Sequence, residues 1–263
     1  MTFLATSNFP SPDVVRNTLS TKRKLRLRQN PTPISLYHSP ALQDWGTSPA
    51  SSQILVDGSI AKRHVLRDFA IDVIDLVSSA NIPTVWALGT KTRSGDDFVA
   101  NDVIKYLAWQ ILKANQTTMD ERSVSLTARR FQSARTEREW FMLLGAVMEG
   151  LEQVCLVVDL DLVDELGEGE VPWLREFPRF FDGLRERNVK TVVKVLFFRA
   201  RRGSEEGRSV DETAHIHIPR RDSGRVRKVA GKRGRKSKRA LMEALQSMCC
   251  DKVSDSPRVT EDI

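Results

Sequence analysis

Asp159, Asp161, Asp164 and Glu165 follow directly on the apolar run Val154-Cys155-Leu156-Val157-Val158. A buried strand that ends in a carboxylate can hold Mg²⁺, because that ion takes hard oxygen ligands, keeps most of its waters and needs only one or two protein acids. A second acid a few residues on can orient an attacking water. Asp159 sits at the strand end. Asp161 has the better spacing to Asp164 and Glu165, as D-x-x-D-E, and the sequence does not choose between Asp159 and Asp161 as the metal ligand. Glu165 is the candidate beside the water. The bland alternative is that these acids solubilise a loop at the edge of a sheet.

Such a site needs a phosphate cradle, a glycine-rich loop ending in Gly-Lys-Ser/Thr whose backbone N–H groups wrap the phosphates. No such loop occurs in the chain. The nearest approach is Val56-Asp57-Gly58-Ser59-Ile60-Ala61-Lys62-Arg63. Gly58, Ser59 and Lys62 are the candidate nucleotide contacts, but a second glycine is missing and Arg63 stands where a hydroxyl belongs. The alternative is a plain turn between strand and helix. A working site implies Mg-ATP or Mg-GTP as cofactor. The missing loop implies no cofactor and no catalysis.

The elements that must position these residues follow from periodicity. Ile54 to Asp57, Thr84 to Leu88, Val154 to Asp159 and Val192 to Phe198 are short apolar runs, with a last strand expected at His215 to Ile218. Between them, helical spacing marks Ala61–Val77, Phe98–Lys113 and a helix to about Gly150, for which Thr136 and Glu139 form a capping box. A further helix is expected from about Pro172 to Arg187. Alternation of strands and helices predicts an α/β fold, a mostly parallel sheet with helices on both faces. Strands apolar along their whole length, interrupted only by Lys194, agree with a sheet covered on both sides.

The order "ILVDGS…KRHVL", "IPTVWAL", "VIKYLAWQIL", "EWFMLLGAVMEGL", "VCLVVDLDLVDE" and "VKVLFFRAR" resembles the NACHT-type STAND NTPase core, a P-loop fold found in many fungal multidomain proteins. The family's L-x-x-L-x-x-Q-L-L helix is matched by Leu107, Gln110 and Leu112, and its acid-tipped strand by Val154 to Glu165. The resemblance spans about residues 53–219 and implies nucleotide-dependent switching or scaffolding. The absent Gly-Lys-Ser/Thr, an expanded acid region and Phe198-Arg199-Ala200-Arg201 in place of Thr-Ser-Arg depart from the family. They point to a degenerate member, a pseudo-NTPase acting through protein partners. That idea requires Asp159 on a strand tip beside the turn at Gly58, facing the same crevice.

Three segments are expected: residues 1–50, rich in Pro, Ser, Thr and Asn and read as mostly disordered with a short helix near Ala41–Trp45; the α/β domain at 51–219; and a basic tail at 220–263 with a short helix. The net charge of +7 is concentrated in that tail. Arg225, Arg227, Lys228, Lys232, Arg233, Arg235, Lys236, Lys238 and Arg239 form two clusters suited to an import receptor, to a phosphate backbone, or to simple solvation. No apolar run approaches the roughly 20 residues that span a bilayer, so no membrane is expected. The N-terminal residues lack the pattern of a signal peptide. Cys155, Cys249 and Cys250 make no disulfide framework, which fits an intracellular protein of nucleus or cytoplasm. His215 and His217 share a strand face, but no third metal ligand is evident beside them. Trp140, Trp173 and Phe177 mark helices that could carry contact surface, with core packing as the default.

Overall fold

The computed structural model describes residues 10–27, 36–37, 39–89, 100–115, 130–131, 133–164, 173–201 and 214–218. Five strands, β1 (Ser52–Ser59), β2 (Thr84–Ala87), β3 (Gln153–Asp159), β4 (Val192–Arg201) and β5 (Ala214–Ile218), form one sheet. Its order is β2-β3-β4-β1-β5 and each pairing is parallel. The helices are α1 (Pro12–Leu27), α2 (Pro40–Thr47), α3 (Arg63–Ser79), α4 (Ala100–Ala114), α5 (Glu137–Met148), the single turn α6 (Asp161–Asp164) and α7 (Trp173–Glu186). The expected α/β architecture is what the chain adopts.

Side-chain alternation along the strands divides the core in two. Leu55, Val85, Leu156, Val195 and Phe197 face α4, α5 and α7. Ile54, Val56, Val157, Leu196 and Phe198 face α2 and α3, with α1 packed outside α3. Cys155 is a core residue on this second face, and burial pushes its thiol up to about 12, so it is inert at neutral pH. Trp140, Trp173 and Phe177 are buried and present no contact surface.

Local rules account for the helix ends. Thr136 Oγ1 accepts from the Glu139 N–H, and the Glu139 carboxylate accepts from the Thr136 N–H at 3.0 Å, completing the expected capping box. Asn81 and Asn188 take positive φ (59° and 55°) where α3 and α7 give way to strands, a conformation that asparagine tolerates. Pro178 lies inside α7 and has no N–H for the Leu174 carbonyl four residues back. Gln53 Nε2 on β1 donates to that carbonyl instead, at 2.8 Å. Gln110 has a comparable role at the sheet edge. Its side-chain amide accepts from the Trp86 N–H at 3.2 Å and donates to the Trp86 carbonyl at 2.9 Å, standing in for a neighbouring strand beside β2.

Lys194, the single polar residue between Val192 and Phe198 on β4, is fully buried. Burial pulls its ammonium down to about 8. Its Nζ donates to the carbonyls of Ser48 (2.5 Å) and Ala50 (2.9 Å) and to Ser52 Oγ (2.9 Å), which ties the connection between α2 and β1 to the centre of the sheet.

Within residues 1–50, expected to be mostly disordered, the described residues are largely helical. Pro12 opens a helix of 16 residues, and the short helix expected near Ala41 runs from Pro40 to Thr47. Helix α1 lacks a strong apolar stripe but buries Val15 and Leu19, and its arginines meet an acidic row on α3. Arg16 pairs with Asp75 (2.5 Å), Arg23 with Asp72 and Arg26 with Asp68, while Tyr37 donates to Asp72 at 2.5 Å. Arg16, Arg23 and Arg26 thus clamp α1 onto α3. Composition hides this helix because its partners lie far along the chain.

Candidate functional site

Strand β3 delivers Asp159 to the carboxyl end of the sheet, where its carboxylate is completely buried. One oxygen accepts from the Gly89 N–H just beyond β2 (3.2 Å) and from Arg67 Nη2 (3.3 Å); the other accepts from the Asp161 N–H (3.2 Å) and so caps α6. Asp161 is also buried. Arg63 grips one of its oxygens through Nε (2.9 Å) and Nη2 (2.7 Å), and the Ala200 N–H on β4 donates to the other at 3.1 Å. Arg63 and Arg67 lie four residues apart and project from one side of the first turns of α3. Their guanidiniums stand beside both candidate metal ligands and neutralise them. Asp159 and Asp161 therefore join α3, β2, β3 and β4 at one end of the sheet.

Glycine at 89 is required by close approach. A Cβ there would lie 2.9 Å from Arg67 Nη2 and 3.0 Å from Asp159 Oδ2. Neither Gly89 nor the arginine pair was among the residues singled out by motif. The legible signals were the i, i+4 arginines directly after β1 and the glycine ending the run Thr84–Leu88.

The phosphate-loop candidates Gly58, Ser59 and Lys62 lie on the end of β1 and in the turn that follows it. β1 does not end at Asp57. Gly58 and Ser59 continue the strand and pair with Ala200 and Arg201 of β4, and Gly58 also pairs with Ile218. The Gly58 Cα packs closely, since a Cβ would meet Ile218 Cβ at 3.3 Å. Lys62 closes a 3-10 turn, Ile60–Lys62, that enters α3 directly. Strand pairing thus runs through Ser59, and only the turn Ile60–Lys62 separates it from α3. The expected placement of Asp159 beside the turn at Gly58 is met only in part: both lie at one end of the sheet, but not on adjacent strands. β4 runs between them, with Asp159 opposite Phe198 and Phe198 opposite Val56. Glu165 and the tail residues from Arg225 to Arg239 lie outside the described residues.

The electrostatics of Asp159 make a sharp prediction. Burial raises its carboxyl from 3.8 to about 6, against the pull of Arg67. Between those values the folded state binds more protons than the unfolded state, so the Asp159 contribution to stability is greatest below about pH 4 and declines as pH rises to about 6. The decline amounts to about 2–3 kcal/mol. Denaturation of wild type and Asp159→Asn should show the gap between them moving toward wild type by about that amount as pH falls from about 7 to about 4.5. A gap independent of pH counts against the assignment.

His215 and His217 both face Asp57 on β1, at 3.1 and 2.7 Å. Even so, among the described residues no group of three or more His, Cys, Asp or Glu side chains is arranged to hold a metal ion. Among the same residues no helix is long and apolar enough to cross a membrane.

No protein-family model and no curated protein matches the chain. Among solved structures, that of the Aeropyrum pernix ORC2 protein in ADPNP–ADP complexes aligns over 76% of this chain and 44% of that chain, with 11% identity and a TM-score of 0.35. The chain thus spans less than half of that protein's length, and a likeness of that size says nothing about the chemistry of this one.

Proposed function

We propose that this chain is a non-catalytic pseudo-NTPase, a P-loop-like α/β domain that works as a scaffold or regulator through protein contacts in the nucleus or cytoplasm. The observation that carries this reading is the pairing of Arg63 with Asp161 and Arg67 with Asp159. A divalent cation would have to displace a guanidinium from each acid it used. The continuation of β1 through Ser59 supports the same reading from the phosphate side. The α/β part of the reading fits the order of the segments: "ILVDGS" falls on β1, "TVWA" of "IPTVWAL" on β2, "VCLVVD" on β3 and "VKVLFFRAR" on β4.

The direct test is thermal denaturation with Mg-ATP and Mg-GTP at concentrations up to millimolar. Anything that binds the folded state raises its melting temperature by mass action. We expect no shift. A shift that Lys62→Ala abolishes would replace this reading with that of a residual nucleotide switch.

The concentration of Lys and Arg at 220–239 favours a second contact, to an import receptor or to nucleic acid. Salt-dependent DNA binding that vanishes when residues 220–239 are deleted would assign it to nucleic acid. Loss of nuclear accumulation in the same deletion would assign it to import.

A further inference from the structure

At the edge strand β5, Ile216 and Ile218 turn into the core, while His215 and His217 turn to the opposite face with side chains 45% and 55% exposed. Asp57, opposite His217 on β1, is nearly buried, and its Oδ1 lies 2.7 Å from His217 Nδ1 and 3.1 Å from His215 Nε2. Arg199 of β4 is opposite Asp57 on its other side, so strand alternation puts Arg199, Asp57 and His217 in one cross-strand row on one face. The row lies toward the carboxyl ends of parallel strands, where open α/β sheets take their ligands.

The two imidazoles are not equivalent. His215 directs its ring-tip nitrogen, Nε2, at the carboxylate. His217 directs Nδ1 there, so its Nδ1–H donates to Asp57 and the Nε2 lone pair points away from the carboxylate on a half-exposed ring. A ring held this way by a buried acid has one defined tautomer, and the acid stabilises the positive charge that appears when Nε2 forms a new bond.

We propose that His217 is a nucleophilic side chain that accepts a phosphoryl group at Nε2 from small nitrogen–phosphorus donors, with Asp57 as its positioning residue. The guanidinium of Arg199 on the same face favours the anionic phosphoryl group over a neutral acyl group. In the step, the Nε2–P bond forms as the P–N bond of phosphoramidate breaks. The leaving nitrogen departs as ammonia with the protons it already carries, and the ring keeps its Nδ1–H on Asp57 as a cation.

The test treats the full chain with phosphoramidate and maps the label by mass spectrometry without acid. His64, exposed on α3, serves as the internal reference. His217 should label at least about tenfold faster than His64, and Asp57→Asn should slow His217 about tenfold while leaving His64 unchanged. Equal rates at His217 and His64, label on His215 in place of His217, or a His217 rate indifferent to Asp57→Asn in a variant that melts like wild type would each overturn the proposal. Should Asp57→Asn fail to fold, the comparison of His217 with His64 in the wild-type chain still decides it.

Discussion

Replacing Asp159 by alanine should destabilise the protein by about 3–5 kcal/mol, the cost of removing one partner from a buried ion pair. Loss of attraction is the smaller part, since burial already disfavours the charged carboxyl and holds it near 6. The larger part is what remains behind. The N–H groups of Gly89 and Asp161 lose their acceptor in a buried setting, and Arg67, only 16% exposed, loses its counter-charge. Asp159→Asn keeps an oxygen for the two N–H groups and should cost clearly less. If the carboxylate served a metal instead, its loss would leave stability nearly unchanged or improved, because the acids of a vacant metal site repel one another. Urea denaturation of the two variants separates these outcomes through the transition midpoint. The same result bears on the proposed function: two arginines that are structurally required at these acids cannot also yield to Mg²⁺ without cost.

Phe177→Ala should cost a similar amount, about 3–5 kcal/mol, for a different reason. Phe177 is fully buried at the meeting of α5, α7 and β4, with ring centroids 5.2 Å from both Phe141 and Phe197 and 5.8 Å from Phe180. The other rings are braced by secondary structure and cannot collapse to fill the space, so the lost apolar burial adds to the cost of a cavity. A midpoint that moves by less than a quarter of this expectation would mean that α7 is not seated on the sheet as described. Phe177→Leu, which keeps most of the volume, should recover much of the loss.

How much of this was legible beforehand depended on distance along the chain. The amphipathic period of α4 and α5, the capping pair Thr136 and Glu139, and the apolar runs of β1 to β4 are properties of neighbouring residues. All were readable because hydrophobic periodicity and capping act within a turn or two. Helix α1 was not readable. Its arginines pair with Asp68, Asp72 and Asp75, which begin more than forty positions beyond them and become a row only when α3 forms. Gly58 and Ser59 looked like a turn because glycine and serine terminate strands in isolation. Pairing of Gly58 with β4 and β5, and of Ser59 with β4, overrides that preference.

The candidate site divides along the same line. The acid at the end of β3 and the missing phosphate loop are written in the order of residues, since each is a contiguous pattern. What occupies the acids is not. Arg67 and Asp159 are separated by 92 positions and Arg63 and Asp161 by 98, and only the packing of α3 against the sheet brings them together. Local sequence determined that this chain would build a parallel α/β sheet with a carboxylate at one strand tip. The path of the folded chain decided that a guanidinium would face that carboxylate, because ionic contacts depend on separation in space, which no local pattern encodes.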